Sequence, residues 1–194
     1  MFAALESDGK GRWGNGSFPN AEALEPLGSK IRQRWIVRFL PSAQNNMLTK
    51  EQKEKVTSIA KNLVGVPYVY GASPDKAPAE FDCSSFVLYL YKQIGFTLPR
   101  STILQAADPQ SKEVESASNH SNLEAGDLLF MRGPQGHYND ELFPDKEVCI
   151  GHMVMYLGSD EIIHAKQSNG VVTIEKLSDF IKIPKYGIVL VKRY

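Results

Sequence analysis

The sequence predicts an α+β fold in which N-terminal helices pack on an antiparallel β-sheet. Two patterns predict this class. After residue 48, apolar residues first recur at helical spacing, whereas the second half contains short β-branched or aromatic segments separated by turns. A run of helices followed by a run of strands is typical of α+β proteins. We therefore divide the chain into an N-terminal extension, residues 1–48, and a main domain, residues 49–194.

The extension differs from the main domain in composition. It is rich in glycine and proline, and only residues 31–39 alternate as a strand would. We interpret residues 1–48 as an irregular extension or the remnant of a small β-module.

Three helices are predicted at the start of the main domain. Thr49 and Gln52 have the spacing of a capping box, so a helix begins there and ends before Gly65. Its apolar face repeats at helical spacing: Val56, Ile59, Ala60, Leu63. A second helix covers residues 83–93, and a short third helix covers residues 101–107.

Five strands follow in the second half of the domain. Their predicted ranges are 127–131, 152–157, 161–165, 171–175 and 187–192. The long connection at residues 132–149 carries several glycines, prolines and acidic residues. A loop of this length is usually a lid, a binding loop or disordered.

Composition excludes some classes of function. The 194 residues include 22 basic and 22 acidic side chains, and zero net charge argues against nucleic acid as a main partner. No apolar run reaches the roughly 20 residues of a membrane span. The first residues lack the basic and apolar regions of a signal peptide, so we expect none in this sequence. Retention in the cell, a leader outside this sequence and another export route stay open.

Cys83 stands where a Gly/Pro-rich loop meets the second predicted helix. The positive end of a helix and its unpaired N–H groups favour a thiolate there, which is the form a nucleophile needs. A lone cysteine on a helix is, however, more often a small buried apolar residue. The other cysteine is Cys149, and we expect two free thiols rather than one disulfide.

Two of the four histidines lie on neighbouring predicted strands. His152 and His164 flank the turn at residues 158–160, and counting outward from it places them on one face of the sheet, somewhat offset. One imidazole could then orient the other. A zinc site that includes Cys149 and His152 is an alternative, but no C-x-x-C or H-x-x-x-H spacing supports it, so we predict no metal.

Six short blocks of sequence occur in a fixed order along the main domain. The blocks are Gly65-Val-Pro-Tyr-Val-Tyr-Gly71, Phe81-Asp-Cys-Ser-Ser-Phe-Val87, Leu98-Pro-Arg-Ser101 with Gln105, Ala125-Gly-Asp-Leu-Leu-Phe130, Gly151-His-Met-Val-Met-Tyr-Leu-Gly158 and Ile163-His-Ala165. Together they resemble the NlpC/P60 cysteine peptidases. The resemblance covers about residues 49–192, and the order of the blocks makes it specific.

The resemblance implies a papain-like core and a set of catalytic residues. Cys83 is implied as the nucleophile that forms a thioester, His152 as its base and His164 as the residue that orients His152. Tyr68 is implied to help the Cys83 backbone N–H bind the oxyanion. No cofactor is implied, and we expect a monomer.

The substrate is likewise implied by the resemblance. Asp82 and Ser84 flank the nucleophile at positions that contact the stem peptide of peptidoglycan or of a muropeptide. Family members commonly cut between D-glutamate and a diamino acid. The chain departs from the family pattern at Ser85, where a glycine is usual, and at Tyr70-Gly71-Ala72, where two glycines usually follow the aromatic residue.

Two other functions stay open from the sequence. Related folds use a Cys/His pair as amidases or lipid acyltransferases, but the permuted lipid-acting relatives place histidine before cysteine. Cys83 precedes both His152 and His164, which favours the peptidase order. A non-catalytic module that binds the cell wall is the third possibility, and an intact set of cysteine and two histidines argues against it.

Overall fold

A computed structural model gives the structure of the protein and describes residues 47–115, 120–133, 136 and 141–194. The predicted strand at residues 31–39, and most of the extension to which it belongs, lie outside the described residues. His137 and part of the long loop lie outside them as well.

Three helices form where the sequence predicts them. Helix α1, Lys50–Lys61, begins at the Thr49–Gln52 capping box, in which each side chain bonds the other residue's backbone N–H. Helix α2 is Cys83–Lys92 and helix α3 is Thr102–Ala106. Local capping and periodicity were sufficient to predict these ranges to within three residues at each end.

The sheet contains six antiparallel strands in the order β1-β6-β2-β3-β4-β5. The strands are β1, Lys112–Glu113; β2, Leu128–Met131; β3, His152–Gly158; β4, Glu161–Lys166; β5, Val171–Lys176; and β6, Ile188–Arg193. The sequence predicts all of these except β1, which is too short to show an alternating pattern.

Helices α1 and α2 cover one face of this sheet. Alternate residues of β3, such as Met153 and Met155, pack against α2 in the larger core. The opposite face is buried too, because Val154 and Tyr156 pack with a fourth helix, α4, Leu177–Phe180. The sequence predicts the helical face but not α4, whose four residues are too few for a periodic signal.

No helix within the described ranges is long and apolar enough to cross a membrane.

Candidate active site

Cys83 is the first residue of α2, and the residues beside it hold that helix end in place. The Asp82 carboxylate accepts a hydrogen bond from the Ser85 backbone N–H at 2.7 Å, and the Ser85 hydroxyl accepts one from the Asp82 N–H at 2.9 Å. This reciprocal pair is a capping box. It explains the departure at position 85, because a glycine there would leave the buried Asp82 N–H without this partner.

The thiol lines a cavity of about 510 Å³ together with Tyr68, Asp82, Ser84 and His152. Five of the six residues implied by the resemblance therefore meet at one site. The Thr102 hydroxyl lies 3.7 Å from the Cys83 sulfur. Helix α2 contacts both β3 and β4, and this packing brings the start of the helix to the end of the sheet where β3 begins.

The pKa of the Cys83 thiol differs from what its position at the start of a helix predicts. Burial raises the pKa of the Cys83 thiol, and hydrogen bonding from Thr102 and from backbone N–H groups opposes the rise only in part. The helix terminus favours the thiolate, but burial outweighs it, so the low thiol pKa expected from the position of Cys83 in the sequence is not found in the folded chain. Burial also raises the pKa of Tyr68 to about 12, which keeps its hydroxyl protonated as a hydrogen-bond donor.

His152 and His164 are in direct contact, as their strand positions predict. The His152 Nε2 and the His164 Nδ1 lie 2.7 Å apart. Met155 faces Ile163 in the β3–β4 register, and both belong to the core under α2. His152 and His164 therefore project from the opposite face of the sheet, where they are diagonal neighbours. His152 lines the cavity, whereas His164 lies behind it with 1% of its surface exposed.

Burial also governs the protonation of the histidine pair. It lowers the pKa of His152 well below the ordinary value, and the neighbouring His164 and Lys166 lower it further. The pKa of His164 falls for the same reason, although its hydrogen bond to Glu175 opposes the fall. Both imidazoles are therefore neutral near pH 7.

Glu175 and Lys166 were not predicted from the sequence. Glu175 accepts a hydrogen bond from His164 Nε2 at 2.8 Å, and Lys166 Nζ lies 2.8 and 2.7 Å from its two oxygens. Glu175 faces Ile162 in the β4–β5 register, which places it diagonally opposite His164 on the same face. The one available signal was an acidic residue near the end of a strand rich in β-branched residues.

Arg100 is a further residue that the sequence argument left without a role. Its guanidinium pairs with the Asp82 carboxylate, donates to the Ser84 hydroxyl at 2.8 Å and donates to the Ala72 carbonyl at 2.6 Å. Arg100 therefore neutralises the only acidic side chain that lines the cavity in the described part of the chain.

An aromatic wall closes the other side of the histidine pair. The Phe180 ring meets His164 edge-on at 5.1 Å and stacks on Tyr186 at 4.5 Å. Tyr186 also lines the cavity beside Lys185, whose ammonium lies 5.2 Å from the Tyr186 ring centre. These rings pack against both imidazoles on that side of the site.

The second cysteine, Cys149, and a further described histidine, His120, do not line the cavity. Cys149 and Cys83 are both free thiols, as predicted. His120 does not line the cavity and belongs to a separate loop. Within the described ranges, no group of three histidine, cysteine, aspartate or glutamate side chains has a geometry that could hold a metal ion.

Comparison with known proteins decides the family. The sequence model of the NlpC/P60 family matches residues 65–189, which include the cysteine, both histidines and Glu175. This chain belongs to the NlpC/P60 family. NlpC/P60 proteins are peptidoglycan hydrolases, mostly cysteine peptidases.

Individual NlpC/P60 relatives are similar over most of this chain. The chain is 28% identical over 164 residues to the gamma-D-glutamyl-L-lysine dipeptidyl-peptidase of Bacillus cereus, matching 84% of this chain and 43% of that relative. It is 30% identical over 131 residues to the murein DD-endopeptidase/murein LD-carboxypeptidase of Escherichia coli, matching 66% of this chain and 57% of the relative. The chain thus spans about half the length of these curated relatives.

Solved NlpC/P60 structures share the fold. NlpC1 from Trichomonas vaginalis superposes with a TM-score of 0.57 at 25% identity, over 73% of this chain and 44% of that chain. The α+β, papain-like core predicted from the sequence is therefore confirmed.

Proposed function

We propose that this chain is a cysteine endopeptidase that hydrolyses peptidoglycan stem peptides at the bond between D-glutamate and the following diamino acid. One observation supports it above the others. The thiol of Cys83, at the start of a helix, and the imidazole of His152 line one cavity, and His164 contacts His152 from behind. A nucleophile, a base and a residue that orients the base are the parts that thiol-dependent acyl transfer requires.

The proposed reaction begins with both partners uncharged, because burial raises the pKa of Cys83 and lowers that of His152. The Cys83 sulfur attacks the scissile carbonyl while its proton passes to His152. The tetrahedral intermediate collapses to a thioester as His152 returns that proton to the leaving amine. Water, deprotonated by His152, then cleaves the thioester and restores the thiol.

Two donors are available for the negative oxygen of the tetrahedral intermediate. Tyr68 keeps its hydroxyl proton because its pKa is about 12, and it lines the cavity with Cys83. The backbone N–H of Cys83 belongs to the first turn of α2, where helical N–H groups have no partner within the helix. Loss of one such donor costs about 3–4 kcal/mol of transition-state stabilisation in comparable enzymes.

Substrate recognition is assigned to the opposite walls of the cavity. Arg100 holds Asp82 and Ser84 in place on the wall beside the nucleophile, where they contact the stem peptide. Lys185 is an exposed cation on the histidine side, and no described carboxylate forms an ion pair with it. An ammonium there suits a substrate carboxylate beyond the scissile bond. The name of the Bacillus cereus relative supports the choice of a D-glutamyl bond.

Incubation with defined muropeptides, followed by mass spectrometry, tests this proposal. The expected products are a fragment ending in D-glutamate and one beginning with the diamino acid. Cys83→Ala and His152→Ala should lose nearly all turnover, whereas Cys149→Ala, which changes the other free thiol, should keep it. Full activity of Cys83→Ala would refute the thiol mechanism.

Products other than these two fragments would distinguish the alternative functions. Cleavage between D-alanine and a diamino acid would still identify a peptidase, but one that cuts a different bond from the one proposed. Release of a stem peptide from its sugar, or acyl transfer to a second acceptor, would favour an amidase or acyltransferase. Binding to peptidoglycan with no product from any substrate would favour a non-catalytic module.

A further inference from the structure

The hydrogen-bonded arrangement extends past the two histidines to an ion pair between Lys166 on β4 and Glu175 on β5. Four side chains from three strands form one continuous set of hydrogen bonds: His152 on β3, His164 and Lys166 on β4, and Glu175 on β5. Each link is between 2.7 and 2.8 Å long. The pair at its far end needs an explanation, since a peptidase triad would be complete without it.

The hydrogen-bond directions follow from Glu175. An ionised carboxylate can only accept, so His164 Nε2 must carry the proton that it donates to Glu175. A neutral His164 then has a bare Nδ1, which must accept from His152 Nε2. In neutral His152 the remaining nitrogen, Nδ1, is therefore the only one with a free lone pair.

We propose that Glu175 is a positioning residue that, through His164, holds His152 in the tautomer whose Nδ1 is the base, and that Lys166 holds Glu175 in place. This inference depends on the proposed function for its catalytic meaning. It goes beyond the implied triad of Cys83, His152 and His164, because in that triad a neutral imidazole is the last member and no charge supports the imidazolium formed during the reaction.

Charge gives the two outer residues opposite effects on the base. Glu175 stabilises a positive His152, whereas Lys166 destabilises it. Glu175 is ionised at neutral pH, because its hydrogen bond from His164 and then Lys166 lower its pKa to about 2. Three other titratable groups lie on the side of the histidine pair that borders the cavity. They are Cys83 from α2 and Lys185 and Tyr186 from the segment after α4.

Substitutions at Glu175 separate its hydrogen bond from its charge. Glu175→Gln keeps an oxygen that can accept from His164 but removes the charge, and Glu175→Leu removes both. We expect Glu175→Leu to lower kcat at least about tenfold with little change in KM, as is usual for partners that orient an active imidazole. Glu175→Gln should lose less and should move the acid limb of the kcat/KM profile to lower pH.

Lys166→Met provides a test of opposite sign. Removing the ammonium should move the same acid limb to higher pH, because the charge that opposes protonation of His152 is gone. A role that is merely structural would not move the limb in opposite directions in the two variants. Matched controls are Lys176→Met, next to Glu175 on β5 and exposed, and Glu161→Gln, at the other end of β4. Neither control should move the limb.

A measurement without substrate keeps this inference separate from the proposed function. Nitrogen-15 NMR of the imidazole rings, assigned with His152→Gln and His164→Gln, should show both rings protonated at Nε2 in the unmodified chain. In Glu175→Leu, a mixture of tautomers should appear. If the unmodified chain cleaves no muropeptide, the proposed function fails while the NMR result still decides the role of Glu175. Unchanged tautomers in Glu175→Leu, or unchanged kcat and pH limb in all Glu175 variants, would overturn the inference.

Discussion

At the scale of single residues, Cys83 shows two effects that act against each other on one thiol. Its place at the start of α2 favours the thiolate, but burial raises its pKa. His152 is shifted in the complementary direction, because burial lowers its pKa. The resting pair is therefore thiol and imidazole, and in the proposed reaction the proton passes to His152 as the sulfur attacks.

This conclusion predicts how Cys83 reacts with iodoacetamide. In a Cys149→Ser background, the rate should rise about tenfold per pH unit between about pH 6 and 8, because the thiolate fraction below a thiol's pKa grows in that proportion. Mass spectrometry of the alkylated peptide gives the rate, with free N-acetylcysteine as the control. A rate that stays constant over this range would indicate a thiolate–imidazolium pair and contradict the conclusion.

At the scale of secondary-structure elements, Arg100 connects three segments that are separate in the chain. It bonds Asp82 and Ser84 at the start of α2 and the Ala72 carbonyl in the preceding loop, and it lies just before α3. Five fixed N–H donors on a planar guanidinium suit this set of acceptors, and an ammonium cannot reproduce it. The position of Cys83, the proposed nucleophile, thus depends on a residue outside its own helix.

Arg100→Lys tests that dependence. The substitution keeps the positive charge but cannot bond all three segments, so we expect unfolding free energy to fall by about 1–3 kcal/mol. The value of kcat/KM for a muropeptide should also fall by at least about tenfold, since a misplaced nucleophile reacts slowly. Urea unfolding and steady-state kinetics measure the two effects. Arg132→Lys, an exposed arginine, is the control and should change neither; if Arg100→Lys also changes neither, Arg100 does not position α2.

At the scale of the whole molecule, three ionisable groups on the face of the sheet that packs with α4 couple folding to pH, namely His152, His164 and Glu175. His152 and His164 have lowered pKa values, so below about 6.5 the unfolded chain binds protons that the folded chain does not. Glu175 has a pKa of about 2 against an ordinary value of 4.5. The stability that the ionised Glu175 adds to the folded chain is present above about pH 4.5 and is lost as the pH falls toward 2.

We therefore expect the free energy of unfolding to fall in two steps on acidification, first below about pH 6.5 and again below about pH 4.5. Urea unfolding at closely spaced pH values measures it. His164→Gln should flatten the first step, and Glu175→Gln should flatten the second. His120→Gln is the control, because His120 lies in a separate loop away from the histidine pair, and it should leave both steps unchanged. Stability that stays constant from pH 7 to 5 would contradict the neutral, buried histidine pair.

The sequence by itself determined the fold class, the ranges of α1, α2 and α3, and the approach of His152 to His164. It could do so because capping boxes, apolar periodicity and the two-residue repeat of a strand are local properties, and a tight turn converts local spacing into contact. The six blocks of resemblance added the family and pointed to Cys83.

Only the tertiary structure decided which residues complete the site and how its groups ionise. Glu175 reaches His164 through the pairing of β4 with β5, and Arg100 reaches Asp82 through the packing of a loop on α2. Neither contact follows from spacing along the chain, because strand register and loop packing depend on the whole core. The pKa of Cys83 depends on burial for the same reason: the sequence shows the helix start, but the amount of protein around the sulfur is known only after the chain has folded.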